Sequence, residues 1–160
     1  MFSYEDIQNN PNTSYIGKFV SDGERLTYYT PTQKPNGKND NAPIKALGDV
    51  VYFMFVNQEL TKIGKAGSAH GFIGRARTYT CDPKHHDATT PRIISVMAEM
   101  GADEMEVYAV QTPRAITRII NPITNEIETV ESPTNGHFET ILTAQYLEMG
   151  GTLEMCVQTK

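Results

Sequence analysis

Tryptophan is absent from this 160-residue chain, and cysteine occurs twice, at Cys81 and Cys156. Two cysteines make no disulfide framework, so a reduced, cytoplasmic setting is the expectation and both read as small semi-buried side chains. Long apolar stretches are missing too. The longest run, residues 50–56, is far too short for the ~20 residues that a membrane-spanning helix needs. The opening MFSYEDIQNN is polar and acidic and does not read as a secretion leader. Positive charge is scarce: 14 Lys and Arg stand against 19 Asp and Glu, a net of −5, which argues against a general nucleic-acid coat. What is present is 39% hydrophobic residues at a mean hydropathy of −0.42, the balance of one soluble domain with its own core.

The scarce positive charge is concentrated. Residues 62–94 hold six bases against two acids, a local +4, whereas residues 95–160 hold ten acids and three bases, a local −7. A basic island on an acidic chain suits a localised phosphate-binding cleft better than broad non-specific binding. A solvated face without a partner is the plainer reading of the same charges.

Along the chain, two β-rich runs flank Asp22-Gly23 at residues 15–30, a hairpin signal. Residues 31–43 contain three prolines and little to bury, so they read as a linker. Residues 1–43 are therefore expected to form an arm, and residues 44–160 the domain proper. In that domain, residues 50–57 read as a buried strand. Asn57-Gln58 follows as the turn, and residues 59–64 as the returning strand. Residues 71–79 suit a short helix. Thr90 before Pro91 suggests a helix N-cap, and apolar residues at helical spacing then run to Gly101. Residues 104–111 read as a strand. Residues 116–120 and 126–130 read as a second, projecting hairpin. Residues 136–149 read as a helix capped by Thr134 or Asn135, and residues 153–157 as a short last strand. The expected fold is α+β: a small central antiparallel sheet of about three strands flanked by helices, with an N-terminal hairpin arm and an inserted hairpin.

The stretch from residue 50 to 79, VVYFMFVNQELTKIGKAGSAHGFIGRARTY, carries the chemistry. Tyr52 lies on one strand and Lys62 on the next. Arg75 and Tyr79 stand one helical turn apart. A phenol can move a proton and cations can hold an anionic phosphate, so the set suits phosphodiester chemistry. A metal-binding carboxylate is missing there, and Glu139 in GHFETILTAQYL supplies one. Tyr52 in an apolar strand also reads simply as a packed aromatic, and Arg75 and Arg77 as solvated helix residues. His70, Cys81, His85 and His86 fall within 17 residues, but Cys-x3-His-His lacks the second ligand pair of a zinc finger.

These residues resemble the GIY-YIG nuclease superfamily in a divergent branch. Residues 50–52, VVY, stand where the family has its first signature half, and residues 62–64, KIG, stand in place of YIG. The order of Tyr, Lys ten residues on, Arg-x-x-x-Tyr and a late helical Glu is similar to small type II restriction endonucleases of that superfamily, as is the CVQT tail. KIG also looks like phage-encoded DNA-binding domains of the superfamily. SYIG at residues 14–17 matches a signature half, but no GIY-like strand precedes it.

The resemblance implies that Tyr52 positions or activates water, Lys62 lowers the Tyr52 pKa, Arg75 and Tyr79 hold phosphate, and Glu139 binds one Mg2+ or Mn2+. Lys65 is expected to touch phosphate, with Arg77, Lys84, His85 and Arg92 along the DNA. The implied partner is double-stranded DNA, met by a homodimer and not by a membrane protein. Alternatives are an inactive DNA-binding module of the same fold, or a phage-encoded regulator that uses the acidic half.

Overall fold

The computed structural model describes residues 2–156, and its turns fall where Asn, Asp and Gly stand. Ser3 caps a short helix, α1 (Tyr4–Asn9), by accepting from the Asp6 amide at 3.1 Å. Strand β1 (Thr13–Ser21) then turns at Asp22-Gly23 into β2 (Leu26–Tyr29). The Asp22 carboxylate accepts from the amides of Glu24 and Arg25, and Gly23 takes φ 96°, which its lack of a Cβ permits. After a short helix, α2 (Ala42–Lys45), comes β3 (Val50–Val56), buried at all seven positions. A strand with no polar side has to be covered on both faces. Asn57 and Gln58, both at positive φ, make the tight turn into β4 (Glu59–Ala66).

The chain continues through α3 (Gly71–Thr80), a 3-10 turn (Pro83–His85) and α4 (Thr89–Glu99). Then follow β5 (Glu104–Gln111), the ribbon of β6 (Arg114–Ile120) and β7 (Ile127–Pro133), and α5 (Asn135–Glu148). The main sheet runs β2-β1-β5-β3-β4, every neighbour antiparallel. Its two faces carry separate cores. Tyr52, Met54, Phe72, Tyr79, Ile93 and Met97 pack between the sheet and α3 and α4. Phe2, Ile7, Val51, Phe53, Phe55 and Ile63 pack between the opposite face and α1 and α5. Each such buried aliphatic or Phe side chain contributes roughly 1.5–3 kcal/mol.

Three details differ from the sequence reading. The N-terminal hairpin does not project as an arm: β1 pairs with β5 from Thr13↔Val110 to Val20↔Glu104 and widens the sheet from about three strands to five. Ile16 and Phe19, fully buried, are what seat it there. Helix α4 starts at Thr89, and its amides at Thr89 and Thr90 are taken by the Asp87 carboxylate at 2.9 and 3.3 Å, so Asp87 caps it rather than Thr90. Thr90 is fully buried and its hydroxyl has no partner among the described residues. Residues 153–156 form no strand; the Met155 amide donates once to Thr61 O at 3.1 Å, and Leu153 and Met155 are buried. Val157, and the CVQT tail beyond Cys156, lie outside the described residues. Among the described residues no helix is long and apolar enough to cross a membrane.

Candidate active site

Strand β4 is one of the two edges of the sheet, and the site lies across it. The β3–β4 register pairs Tyr52 with Gly64 and Met54 with Lys62, so Tyr52 and Lys62 share the face that meets α3. The missing side chain at Gly64 is what admits the Tyr52 ring, since a Cβ there would overlap its Cζ and hydroxyl. Phe72 of α3 closes the other side, edge-on at 5.0 Å between ring centres. Tyr79 comes in one turn beyond Arg75, and the Tyr52 and Tyr79 hydroxyls share a hydrogen bond of 2.6 Å. Lys65, three residues after Lys62, emerges on the opposite face of the edge strand.

Helix α5 brings the carboxylate. The Asn135 side chain is buried and donates to Ala66 O at 3.1 Å, tying the start of α5 to the end of β4. Its oxygen accepts from the Gly136 amide at 3.0 Å. One turn on, Glu139 and then Thr143 face the edge of β4. Among the described residues, the Glu139 carboxylate has neither hydrogen bond nor ion pair.

Tyr52, Lys62, Lys65, Arg75, Tyr79 and Glu139 thus line one cleft of about 530 Å3. Asp87, Thr89, Thr143 and Cys156 share its wall and were not singled out by sequence. Asp87 could have been found as the carboxylate preceding a helix start; nothing in the sequence marks Cys156 as a neighbour of Tyr79. The other expected residues lie elsewhere. Arg77 lines a separate groove beside β2 with Arg25. Lys84 and His85 sit exposed on the 3-10 turn. Arg92 donates to Glu154 O at 2.6 Å. The zinc alternative gains no support: the His86 ring nitrogen lies 3.0 Å from Cys81 O, and no group of three or more His, Cys, Asp or Glu among the described residues could hold a metal.

Burial dominates the electrostatics. The Tyr52 phenol is pushed well above the ordinary tyrosine range, first by burial and then by the neighbouring Tyr79. Arg75 opposes that rise and Glu139 adds to it, so both reach the phenol through the cleft. The direction is opposite to the lowering by Lys62 that the sequence suggested. Tyr79 also rises through burial, but the hydrogen bond with Tyr52 and the charge of Arg75 restrain it. Both phenols therefore stay protonated around neutral pH. The cleft offers a neutral phenol at its floor, cations around it and one uncommitted carboxylate opposite.

No protein-family model matches this chain, and no curated protein matches its sequence. Solved structures do share its fold. It is similar to a point mutant of bacteriophage T4 EndoII, with 17% identity and a TM-score of 0.56, over 91% of this chain and 96% of that one. It is also similar to restriction endonuclease HPY188I, solved in complex with product DNA, with 15% identity and a TM-score of 0.52, over 99% of this chain and 87% of that one. At this identity the likeness is one of fold.

Proposed function

We propose that this chain is a metal-dependent, site-specific endonuclease of double-stranded DNA of the GIY-YIG type. The observation that carries the reading is the convergence of Tyr52, Lys62, Arg75 and Tyr79, from the consecutive elements β3, β4 and α3, with Glu139 of the distant helix α5 on one cleft. The nuclease character of the proteins that share the fold supports it.

The donor set suits one hydrated divalent ion. Mg2+ keeps several waters and is commonly held by one or two carboxylates together with substrate phosphate, and Glu139 is a single carboxylate with no partner among the described residues. When bound, Mg2+ or Mn2+ would neutralise charge developing on the phosphate and on the leaving oxygen. Arg75 holds the phosphate, bidentate through its planar fork, and Lys62 adds a point charge beside it. Tyr52, kept neutral by burial, accepts a hydrogen bond from the attacking water and orients it. Tyr79 shares a hydrogen bond with Tyr52 and so fixes where the Tyr52 oxygen sits. Lys65 lies over the first residues of α5, with Gly136 beside its ammonium. A cation at a helix N-terminus meets the positive end of the dipole, and a phosphate between them relieves that conflict. In this reading Arg77, Lys84, His85 and Arg92, which lie outside the cleft, would meet backbone phosphates farther along the duplex.

The test is incubation of the purified chain with plasmid and phage DNA at low salt with Mg2+, Mn2+ or EDTA, beside Glu139→Gln. Discrete fragments that disappear with EDTA and with the variant are expected. Binding without cutting on any DNA, methylated or not, would refute the enzyme and leave a DNA-binding module. No binding at all would favour a regulator.

A further inference from the structure

The ribbon of β6 and β7 is the most exposed apolar feature of the described chain. Its strands pair from Arg114↔Pro133 to Ile120↔Ile127, about 23 Å of ribbon at ~3.3 Å per residue. None of its strand residues is buried. Strand alternation puts Ile116, Ile120 and Ile127 on one face and Ile119 and Val130 on the other, while Ile123 at the tip is 90% exposed and Ile116 72%. A lone two-stranded ribbon is marginal in water, and apolar residues on both faces mark a surface that something covers.

Charge decides against DNA as the cover. The ribbon carries Arg114 and Arg118 against Glu126, Glu128 and Glu131, two bases and three acids, a net of −1. Arg114 is already engaged by Asp49 at 2.7 Å and Glu131 at 3.2 Å. Phosphate contact needs spare cations, and this element has one.

The base of the ribbon abuts a groove of about 690 Å3 between α1 and α5. Ile7, Phe53, Val110, Pro113, Phe138 and Leu142 line it, and no charged residue does. Two ribbons related by a two-fold axis perpendicular to their length run antiparallel, which carries the tip of each to the base of the other. The same alignment brings Arg118, just past the middle, opposite Glu131 of the second copy. A flat ribbon face, roughly 23 by 10 Å, falls short of the ~800 Å2 per partner of a stable interface, so seating the tip in the groove is what completes it.

We propose that the ribbon is the arm of a two-fold dimer, with the Ile123 tip of each copy held in the uncharged groove of the other. This names the surface for a dimer that could cut both strands, but it rests on the ribbon and groove alone.

Sedimentation velocity of the full chain over a concentration series tests it. The intact chain is expected to dimerise. Ile123→Asp at the tip and Phe138→Asp in the groove change exposed side chains, and circular dichroism checks that both variants fold. Each should raise the dimer dissociation constant at least about tenfold. An equimolar mixture of the two should associate more tightly than either alone, because one tip and one groove remain intact in the mixed dimer. A chain that stays monomeric overturns the proposal. So does a dimer that neither variant weakens, a mixture no better than its components, or an Ile123→Asp variant that loses DNA binding while dimerising normally. Cleavage measured on the same samples separates the two readings: a monomer that cuts DNA sinks the dimer and keeps the nuclease.

Discussion

Adding one methyl group at Gly64 should disable the site while leaving its cations in place. The Cβ of Gly64→Ala would occupy space now filled by the Tyr52 ring. Neither neighbour yields easily. Gly64 is paired with Tyr52 in the sheet register, and the ring is packed against Phe72 at 5.0 Å and bonded to Tyr79 at 2.6 Å. Overpacking a filled core costs about 1–3 kcal/mol. Displacing the ring also breaks the phenol pair and strands two buried hydroxyls, a further ~1–3 kcal/mol. Together that is about 2–6 kcal/mol, or roughly 4–24 °C in Tm at 2–4 °C per kcal/mol for a domain of this size. A shift of about 1 Å in a positioned catalytic group costs on the order of a hundredfold in rate. The assay is a thermal melt followed by circular dichroism, with plasmid cleavage and a gel-shift titration on the same preparation. Cleavage should fall about a hundredfold and DNA affinity should hold, since Lys65 and Arg75 are untouched. Tyr52→Phe separates the two effects: it keeps the shape, loses the hydrogen bond, and should cost only ~1–3 kcal/mol with a similar loss of cleavage. An unchanged Tm and an unchanged rate in Gly64→Ala would refute the ring-over-glycine geometry and the role given to Tyr52.

The two helix arginines should divide: Arg75→Ala abolishes cleavage, whereas Arg77→Ala keeps the rate at saturating DNA and lowers the salt slope of binding by about one, and equal effects would contradict their placement in different grooves. Asn135→Ala removes the tie from α5 to Ala66 O, so stability should drop by about 1–3 kcal/mol and cleavage more than DNA binding, read by urea unfolding and single-turnover kinetics; an unaffected rate would show that Glu139 is positioned without it. Burial raises the folded-state pKa of Tyr28, Tyr52 and Tyr79 above the unfolded value of about 10. Below that pH the three phenols are protonated in both states and their contribution is constant. As pH rises past it, the unfolded chain releases protons first, so stability should fall, by up to ~1.4 kcal/mol per pH unit for each phenol. Urea unfolding between neutral pH and about pH 11 should show the decline, and it should be shallower in Tyr52→Phe; an identical slope would mean that the buried phenol is not responsible.

The sequence by itself determined the parts that depend on local chemistry. Asp22-Gly23 made its turn because the Asp22 carboxylate takes the amides of Glu24 and Arg25 and Cβ-free Gly23 tolerates positive φ, and Asn57 opens the next turn as a short polar residue at positive φ. Residues 50–56 made an interior strand, paired on both sides, because nothing in them could face water. The order Tyr52, Lys62, Arg75, Tyr79 and Glu139 marked candidates through residue type and spacing, with the family resemblance to weigh them. Tertiary structure decided what spacing cannot carry. The N-terminal hairpin became a sheet edge because Ile16 and Phe19 find cover only against β5 and the helices, a long-range fact. Arg75 and Arg77, two apart on one helix, point to different grooves, as the 3.6-residue turn requires once the helix is docked. Asp87 and Cys156 joined the cleft only when α4 and residues 153–156 closed over the sheet edge. The Tyr52 pKa moved up rather than down because desolvation is a property of the packed surroundings, and those exist only in the folded chain.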